Sequence, residues 1–219
     1  MHVRVNAAMS TDGKLSTRRR EQLAISGPED FERVEAIRES VDGILVGVGT
    51  VLADDPHLVL EQSRQRNRSK RGEPSTPARI VVDSTARTPK DARILDDEAD
   101  TYVLTSDRAP DDRIRRLEST GAAVIVAGHS RVTLAAAFEA LQVEGISELL
   151  VEGGGEIIFS AFEEGLVDEL SVYVGSMIVG GRDAPTLADG EGFIEEFPDL
   201  DLEAVDRLDE GVLLSYSVE

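Results

Sequence analysis

The sequence predicts an α/β fold: a mainly parallel sheet flanked by helices, with an antiparallel C-terminal hairpin. Three observations lead to this prediction. Short apolar runs alternate with stretches of helical spacing, and strands separated by helices pair in parallel through right-handed crossovers. Several apolar runs end directly in glycine or polar residues. In the last third, two alternating segments flank Asp209-Glu210-Gly211, which indicates a hairpin.

The first 60 residues predict a strand, a turn, a helix and a second strand. Pro28 and Glu29 are typical of a helix start, and helical spacing follows in Phe31, Val34, Ile37 and Val41. In chain order, the four elements span residues 3–9, 10–14, 26–40 and 44–48. The second strand runs into Gly49-Thr50, a glycine-led exit.

Residues 61–78 are polar and hold five basic side chains, Arg64, Arg66, Arg68, Lys70 and Arg71. Such a composition cannot bury much apolar surface, so we expect a mobile basic loop. In one interpretation its cations reach a substrate phosphate. In the favoured interpretation it is a solvated loop.

The rest of the chain continues the alternation. We expect strands at residues 79–84, 101–105, 123–127, 168–175, 203–208 and 212–218, and helices at 111–119 and 132–141.

The sequence predicts that the chain is organised around residues 149–159, an apolar strand that runs into Gly153-Gly154-Gly155 and then into a helix to about Glu164. Glycines let the backbone approach a ligand, and a helix N-terminus attracts anions. The alternative is a tight turn that requires positive φ angles. Three consecutive glycines favour the anion site, although neither a G-x-G-x-x-G nor a P-loop pattern is present.

Composition limits the classes of protein. With 219 residues, 41% of them hydrophobic, we expect a single domain over residues 1–219. The absence of cysteine excludes a disulfide, a thiolate nucleophile and a Cys-ligated metal. No apolar run approaches the ~20 residues of a membrane span, and no secretory signal is evident, so we expect a cytoplasmic protein with no membrane partner.

The net charge is −20, from 43 acidic and 23 basic residues. Such an excess repels nucleic acid and anionic lipid, and it is typical of salt-adapted, halophilic-type surfaces. We therefore expect no nucleic-acid partner.

Polar residues recur where predicted strands end: Asn6 and Lys14, Thr50 with Asp54 and Asp55, Asp83 with Ser84, and Glu152. If these exits share one edge of the sheet, they line one crevice that suits a diphosphate and a hydroxylated substrate. Taken singly, each has another interpretation as a helix cap, a turn residue or a surface acid.

The histidines, His2, His57 and His129, show no metal-ligand spacing, so we expect no metal. The lack of a Gly-x-Ser-x-Gly elbow weighs against a serine hydrolase.

Five blocks carry a family resemblance: residues 9–14 (MSTDGK), 47–58 (GVGTVLADDPHL), 81–84 (VVDS), 151–155 (VEGGG) and 165–170 (GLVDEL). Together they resemble the riboflavin-biosynthesis pyrimidine reductase family, in particular its stand-alone archaeal members. The resemblance implies a dihydrofolate-reductase-like fold, a homodimer and NADPH as cofactor.

The implied reaction is NADPH-dependent reduction of the ribosylamino group of 2,5-diamino-6-(ribosylamino)-4(3H)-pyrimidinone 5′-phosphate to ribitylamino. Alternatives are the deaminated uracil substrate, a dihydrofolate-reductase-type enzyme and a non-catalytic nucleotide-binding module. Relatives fused to a deaminase carry His and Cys zinc motifs that this chain lacks, so we expect no deamination.

The resemblance also implies roles for individual residues. The cofactor would be held by Thr50, Asp54, Ser84, Gly153, Gly154, Gly155 and Glu156. The substrate would be held by Asn6, Arg38, Leu58 and Glu152. Lys14 and Glu152 are the candidates for polarising or protonating the sugar amine. Glu61 stands where bifunctional relatives have an arginine, which leaves the binding of the substrate phosphate open.

Overall fold

The computed structural model describes residues 1–219. Its nine strands are β1 His2–Ser10, β2 Gly43–Gly47, β3 Ala78–Val82, β4 Thr101–Thr105, β5 Ala123–Val126, β6 Glu148–Gly153, β7 Glu169–Gly175, β8 Leu200–Leu208 and β9 Gly211–Val218. Its six α-helices are α1 Pro28–Ser40, α2 Val48–Asp54, α3 Gln62–Arg71, α4 Asp111–Glu118, α5 Leu134–Val143 and α6 Gly155–Glu163. A 3-10 turn covers Arg93–Leu95.

The chain divides into two compact units. The first unit comprises Met1 and residues 36–150, and the second comprises residues 2–35 and 151–219. The chain passes from one unit to the other within α1 and within β6. A single domain over the whole chain stays a prediction.

Four parallel strands build the sheet of the first unit in the order β5-β4-β3-β2. Leu45 pairs with Ile80, and Val81 pairs with Val103. β2 is buried along its whole length, as expected for a parallel strand covered on both faces. Its apolar core includes Ile44, Val46, Val81, Val103, Leu117 and Leu150.

The sheet of the second unit contains the antiparallel part. β1 pairs with β7 in parallel, Asn6 opposite Ser171. β7 pairs with β9, and β9 with β8, both antiparallel. β8 is an edge strand, interrupted by a register shift between Leu202 and Ala204, and most of its residues are exposed.

The turn between β8 and β9 reaches the start of α1. The carboxylate of Asp209 accepts hydrogen bonds from the backbone N–H groups of Glu29 and Asp30 at 3.2 and 3.1 Å. These are donors of the first helical turn, which have no partner within the helix. A Cβ on Gly27 would lie 2.5 Å from the Asp209 side chain, so glycine is needed there.

The predicted fold class is confirmed: the sheet is mainly parallel, and the C-terminal strands form an antiparallel hairpin. The loop predicted for residues 61–78 is wrong in its secondary structure, because residues 62–71 form α3. Arg68 explains the difference. Its side chain is buried and anchors a helix that has almost no apolar residues of its own. None of the helices has both the length and the apolar character that crossing a bilayer requires.

Candidate active site

The glycine run turns the chain from β6 into α6. Gly154 lies at the N-cap with φ 90°, a conformation that favours glycine. The N-cap residue offers no side-chain cap to α6, and the N–H groups of Ile157 and Ile158 donate to the Gly154 carbonyl at 2.8 and 3.0 Å. A helix start of this kind is suited to an anion such as phosphate.

Gly155 is required for packing. A Cβ there would lie 2.4 Å from the carbonyl oxygen of Thr186 and 2.9 Å from Asp189 Oδ2. The backbone N–H of Asp189 donates to the carbonyl of Gly155 at 2.9 Å. Backbone conformation and packing thus explain why Gly154 and Gly155 are glycines. The run of three glycines is therefore weaker support for an anion site than the sequence suggested.

Lys14 ends a turn built on Ser10. The Lys14 N–H donates to Ser10 Oγ at 3.0 Å, and the Ser10 N–H donates to the Lys14 carbonyl at 2.9 Å. Gly13 supplies the positive φ, 78°. The ammonium of Lys14 donates to the carbonyl of Ala184 at 3.3 Å, which leaves further N–H donors for a ligand.

Asp12 braces the same turn. Its carboxylate accepts from Ser10 Oγ at 2.6 Å and from the N–H groups of Val179 and Gly180 at 3.0 and 2.7 Å. These hydrogen bonds, that of Ser10 foremost, lower the pKa of Asp12 from 3.8 to about 2. The carboxylate therefore stays ionised and holds residues 179–180 against the turn that carries Lys14.

Lys14 and Gly155 meet at Thr186. Lys14 forms an antiparallel bridge with Thr186, and Gly155 packs against the carbonyl of the same residue. Thr186 is itself held by Asp189, which accepts hydrogen bonds from its N–H and its hydroxyl. The segment 184–189 thus joins two predicted site residues, and no motif in the sequence marked it.

Asn6 belongs to a buried polar network. Its side-chain oxygen accepts a hydrogen bond from Arg33 Nη2 at 2.6 Å, and Arg33 forms an ion pair with Asp30 at 2.8 Å. Asn6 and Asp30 are both buried. Asn6 therefore has a structural role through its side-chain oxygen, and any ligand contact has to come from the rest of its amide.

Glu152 and Glu156 lie on either side of the glycine turn. Glu152 is half-buried near the end of β6, and Glu156 is exposed in the first turn of α6. An acid in the first turn stabilises a helix through its dipole, typically by ~0.3–1 kcal/mol.

Thr50 and Asp54 lie on α2 in the first unit, Thr50 half-buried and Asp54 at the exposed end. Partial desolvation raises the pKa of the Asp54 carboxyl above its usual value. The backbone of the next residue, Asp55, has the left-handed helical conformation. Its carboxylate accepts a hydrogen bond from the Arg93 N–H at 2.9 Å.

Ser84 follows β3. Its hydroxyl oxygen accepts from the Val132 N–H at 3.0 Å, and its carbonyl accepts from Ser106 Oγ at 2.8 Å. The neighbouring Asp83 is buried and accepts two hydrogen bonds from Thr88 through one oxygen. Asp83 thereby closes the turn after β3, as its interpretation as a turn residue predicts.

Arg38 and Leu58 differ in what they offer. Arg38 is half-buried in the last turn of α1. The Leu58 side chain packs in the core of the first unit, and its φ is 51°, an uncommon value for leucine. Any contact of Leu58 with a substrate would therefore come from its backbone.

The basic residues of α3 are largely engaged. Glu39 forms ion pairs with Arg64 at 2.7 Å and Arg71 at 3.2 Å. The hydrogen bond from Arg64 is the main reason why the pKa of Glu39 lies below its usual value. Arg66 and Lys70 remain exposed.

A family model, the RibD C-terminal domain, matches residues 1–214. The 2,5-diamino-6-ribosylamino-4(3H)-pyrimidinone 5′-phosphate reductase of Archaeoglobus fulgidus is 45% identical over 96% of this chain and 94% of its own length. The enzyme of the same name from Methanothermobacter thermautotrophicus is 44% identical over 100% of this chain and 98% of its own length. The RibD protein of Actinobacillus pleuropneumoniae is 35% identical over 99% of this chain but only 57% of its own length.

Solved structures agree in fold. A pyrimidine reductase-like protein from Corynebacterium diphtheriae superposes with a TM-score of 0.88 at 22% identity, covering 100% of this chain and 92% of that one. The riboflavin biosynthesis reductase Rib7 of Saccharomyces cerevisiae gives 0.75 at 20% identity, covering 100% and 90%. With a family model that spans residues 1–214 and relatives that match over 94% and 98% of their length, this chain belongs to the RibD C-terminal domain family.

Proposed function

We propose that the protein is a nicotinamide-dependent reductase of riboflavin biosynthesis. Its substrate is 2,5-diamino-6-(ribosylamino)-4(3H)-pyrimidinone 5′-phosphate, whose ribosylamino group it reduces to ribitylamino. The observation that carries the proposal is identity of 44–45% over 94% and 98% of the length of two reductases of that name. Relatives that also contain other regions, such as the RibD proteins, share less.

The proposed cofactor is NADPH, and the glycine turn before α6 fits one of its phosphate groups. Gly153 and Gly154 present no Cβ, and α6 has no side-chain cap in competition with a bound anion. Gly155, Glu156, Thr50, Asp54 and Ser84 are the other residues proposed to hold the cofactor. The hydroxyl of Ser84 already accepts from Val132, so its proton is what it can donate to a ligand.

When bound, the nicotinamide supplies a hydride, while the protein supplies orientation and electrostatics. Lys14 is proposed to donate a hydrogen bond or a proton to the sugar end of the substrate. Its ammonium is oriented by the hydrogen bond to the Ala184 carbonyl and has further N–H groups that can donate to a ligand. Glu152, half-buried before the glycine turn, is the proposed partner for the sugar amine.

Arg38, Leu58 and Asn6 are proposed to line the substrate position. Arg38 or the basic residues of α3 are proposed to hold the substrate phosphate, and of the latter Arg64, Arg68 and Arg71 also contact protein groups. Glu61, at the N-cap of α3, is acidic and does not suit a phosphate.

The second unit also supports a proposed homodimer. Leu200, Leu202 and Val205 of the edge strand β8 are 40–58% exposed, and a row of apolar side chains on an unpaired edge favours strand addition by a second copy. Size-exclusion chromatography with light scattering tests this, and Leu202→Lys should shift the protein towards monomer. A wild-type protein that is monomeric at assay concentrations would contradict the homodimer.

The activity is tested by following the loss of reduced-nicotinamide absorbance in high salt. NADPH and NADH are each combined with the diamino substrate, its deaminated uracil analogue or dihydrofolate. We expect rapid oxidation of NADPH with the diamino compound. Preference for the uracil analogue would reverse the order of reduction and deamination, and turnover of dihydrofolate would replace the substrate class. Folded protein that binds NADPH but oxidises it with none of the three would favour the non-catalytic module.

A further inference from the structure

Each of the three histidines contacts carboxylates, but only one has two carboxylates directed at a single nitrogen. His2 uses Nδ1 for Asp168 and Nε2 for Glu169. His129 contacts Asp107 alone. His57 Nε2 lies 2.5 Å from Asp96 Oδ2 and 3.7 Å from Glu98 Oε1.

We propose that His57, Asp96 and Glu98, none of which is assigned to the reductase reaction, bind a divalent transition-metal ion of the Zn²⁺ type. One imidazole nitrogen and two carboxylate oxygens, all within 4.8 Å of one another, form a donor set that zinc accepts. Three protein ligands leave the fourth tetrahedral position to water.

The geometry requires only a small adjustment. With metal–ligand bonds of ~2.1 Å in a tetrahedron, neighbouring donor atoms lie about 3.4 Å apart. The separation of His57 Nε2 from Glu98 Oε1, 3.7 Å, is already close to this value. His57 Nε2 and Asp96 Oδ2 are 2.5 Å apart and would separate by roughly 0.9 Å as the ion replaces the proton that now joins them.

Asp96 is held by a second layer of contacts, as metal-binding carboxylates commonly are. Its other oxygen, Oδ1, accepts from Arg79 Nη1 at 2.7 Å and from the Glu98 N–H at 3.1 Å. Arg79 is fully buried and also donates to the carbonyl oxygens of Asp96 and Ala99. Oδ2 is therefore left facing His57.

The surroundings favour a cation. Asp96 and Glu98 line an open cavity of about 610 Å³ at the amino ends of β3, β4 and β5, and the other acids that line it are Asp42, Asp97, Asp100 and Glu144. Arg68 is its only basic lining residue, so the negative potential raises the local concentration of divalent cations.

The ion would tie two segments of the first unit together. His57 follows α2, whereas Asp96 and Glu98 lie between the 3-10 turn and β4. These segments already touch through the hydrogen bond from the Arg93 N–H to Asp55. Metal binding therefore stabilises the stretch from Asp55 to Leu58, next to the proposed cofactor residue Asp54.

The test is calorimetric titration of Zn²⁺ into the full chain after treatment with a chelator and desalting. We expect one saturable site with micromolar or tighter affinity and a rise in the unfolding temperature. Glu98→Gln should weaken that affinity at least tenfold and His57→Gln should abolish the site, whereas His129→Gln, the matched control, should leave it unchanged. None of these readouts depends on reductase activity.

Several results would overturn the proposal. One is the absence of a saturable site in folded wild-type protein. Another is a site that survives both His57→Gln and Glu98→Gln. A third is a set of weak sites that all three variants leave unchanged, which would show that the acidic surface alone attracts zinc. Since the Glu98 side chain is 53% exposed, its variant keeps the test valid if His57→Gln fails to fold.

Discussion

Arg68 donates a hydrogen bond to the carbonyl oxygen of Val41 at 2.7 Å, inside the first unit. The same guanidinium donates to the carbonyls of Glu39 at 2.8 Å and Pro74 at 2.9 Å. Its side chain is 3% exposed. One cation thus satisfies backbone groups where the chain leaves α1 and where it leaves α3.

Replacing Arg68 with Met should destabilise the protein by about 2–4 kcal/mol, because three carbonyls lose a charged donor and a buried acceptor without a partner costs ~1–3 kcal/mol. Arg66→Met, on the exposed side of the same helix, should change the free energy of unfolding by less than ~0.5 kcal/mol. Urea denaturation of both variants measures the difference. Equal stability of the two would contradict the role given to Arg68.

Gly155→Ala should destabilise the second unit by roughly 1–3 kcal/mol, since the new methyl group would enter the space of the Thr186 carbonyl. It should also weaken NADPH binding, because Thr186 and the start of α6 must move apart. Gly49→Ala is the control: a Cβ there meets nothing within 4 Å, and alanine favours the helix. Thermal unfolding and fluorescence titration of NADPH give the two readouts. A Gly155→Ala protein as stable as Gly49→Ala would refute the packing argument.

Asp12 should contribute to acid sensitivity. Its pKa falls from 3.8 to about 2 in the folded protein, so its stabilisation is present above pH 3.8 and is lost as the pH falls through about 2. Asp12→Asn should therefore lower stability at neutral pH and flatten the decline of stability over that acidic window. Denaturation curves at several pH values test this, with exposed Asp91→Asn as control. An unchanged pH profile in Asp12→Asn would exclude the effect.

Lys14→Met should lower kcat by about 100-fold or more if Lys14 acts as proton donor, the usual range for such groups being ~10²–10⁴. Glu152→Gln should have a comparable effect. Lys90→Met, which removes an exposed lysine, should leave kcat unchanged. If Lys14 only positions the segment at Ala184, its loss would instead raise KM and lower the unfolding temperature while kcat stays near wild type.

The parts predictable from sequence are those governed by local pattern. Ile44–Val46 and Ile80–Val82 are short apolar runs with polar ends, and such runs form buried parallel strands in almost any context. Asp209-Glu210-Gly211 marks the hairpin because such residues accept the conformations of a tight turn, as Asp209 does with a φ of 47°. Gly154 has a φ of 90°, a conformation that glycine adopts readily because it has no Cβ.

The parts that sequence reasoning missed depend on partners far along the chain. α3 has the composition of a loop. It is anchored by the buried side chain of Arg68, which donates to the carbonyl of Val41, 27 residues away. Lys14 meets Ala184 across 170 residues, and His57 meets Asp96 across 39. No spacing rule links such residues, so the contacts of the candidate site had to come from the structure.

The order of synthesis matters for the residue that caps α1. Asp209, which accepts the N–H groups of Glu29 and Asp30, lies 180 residues after Glu29. During translation α1 emerges early, yet its first turn stays without this acceptor until the hairpin between β8 and β9 has left the ribosome. This cap of α1 can therefore form only after most of the chain has been synthesised, and it closes a loop that includes most of the chain.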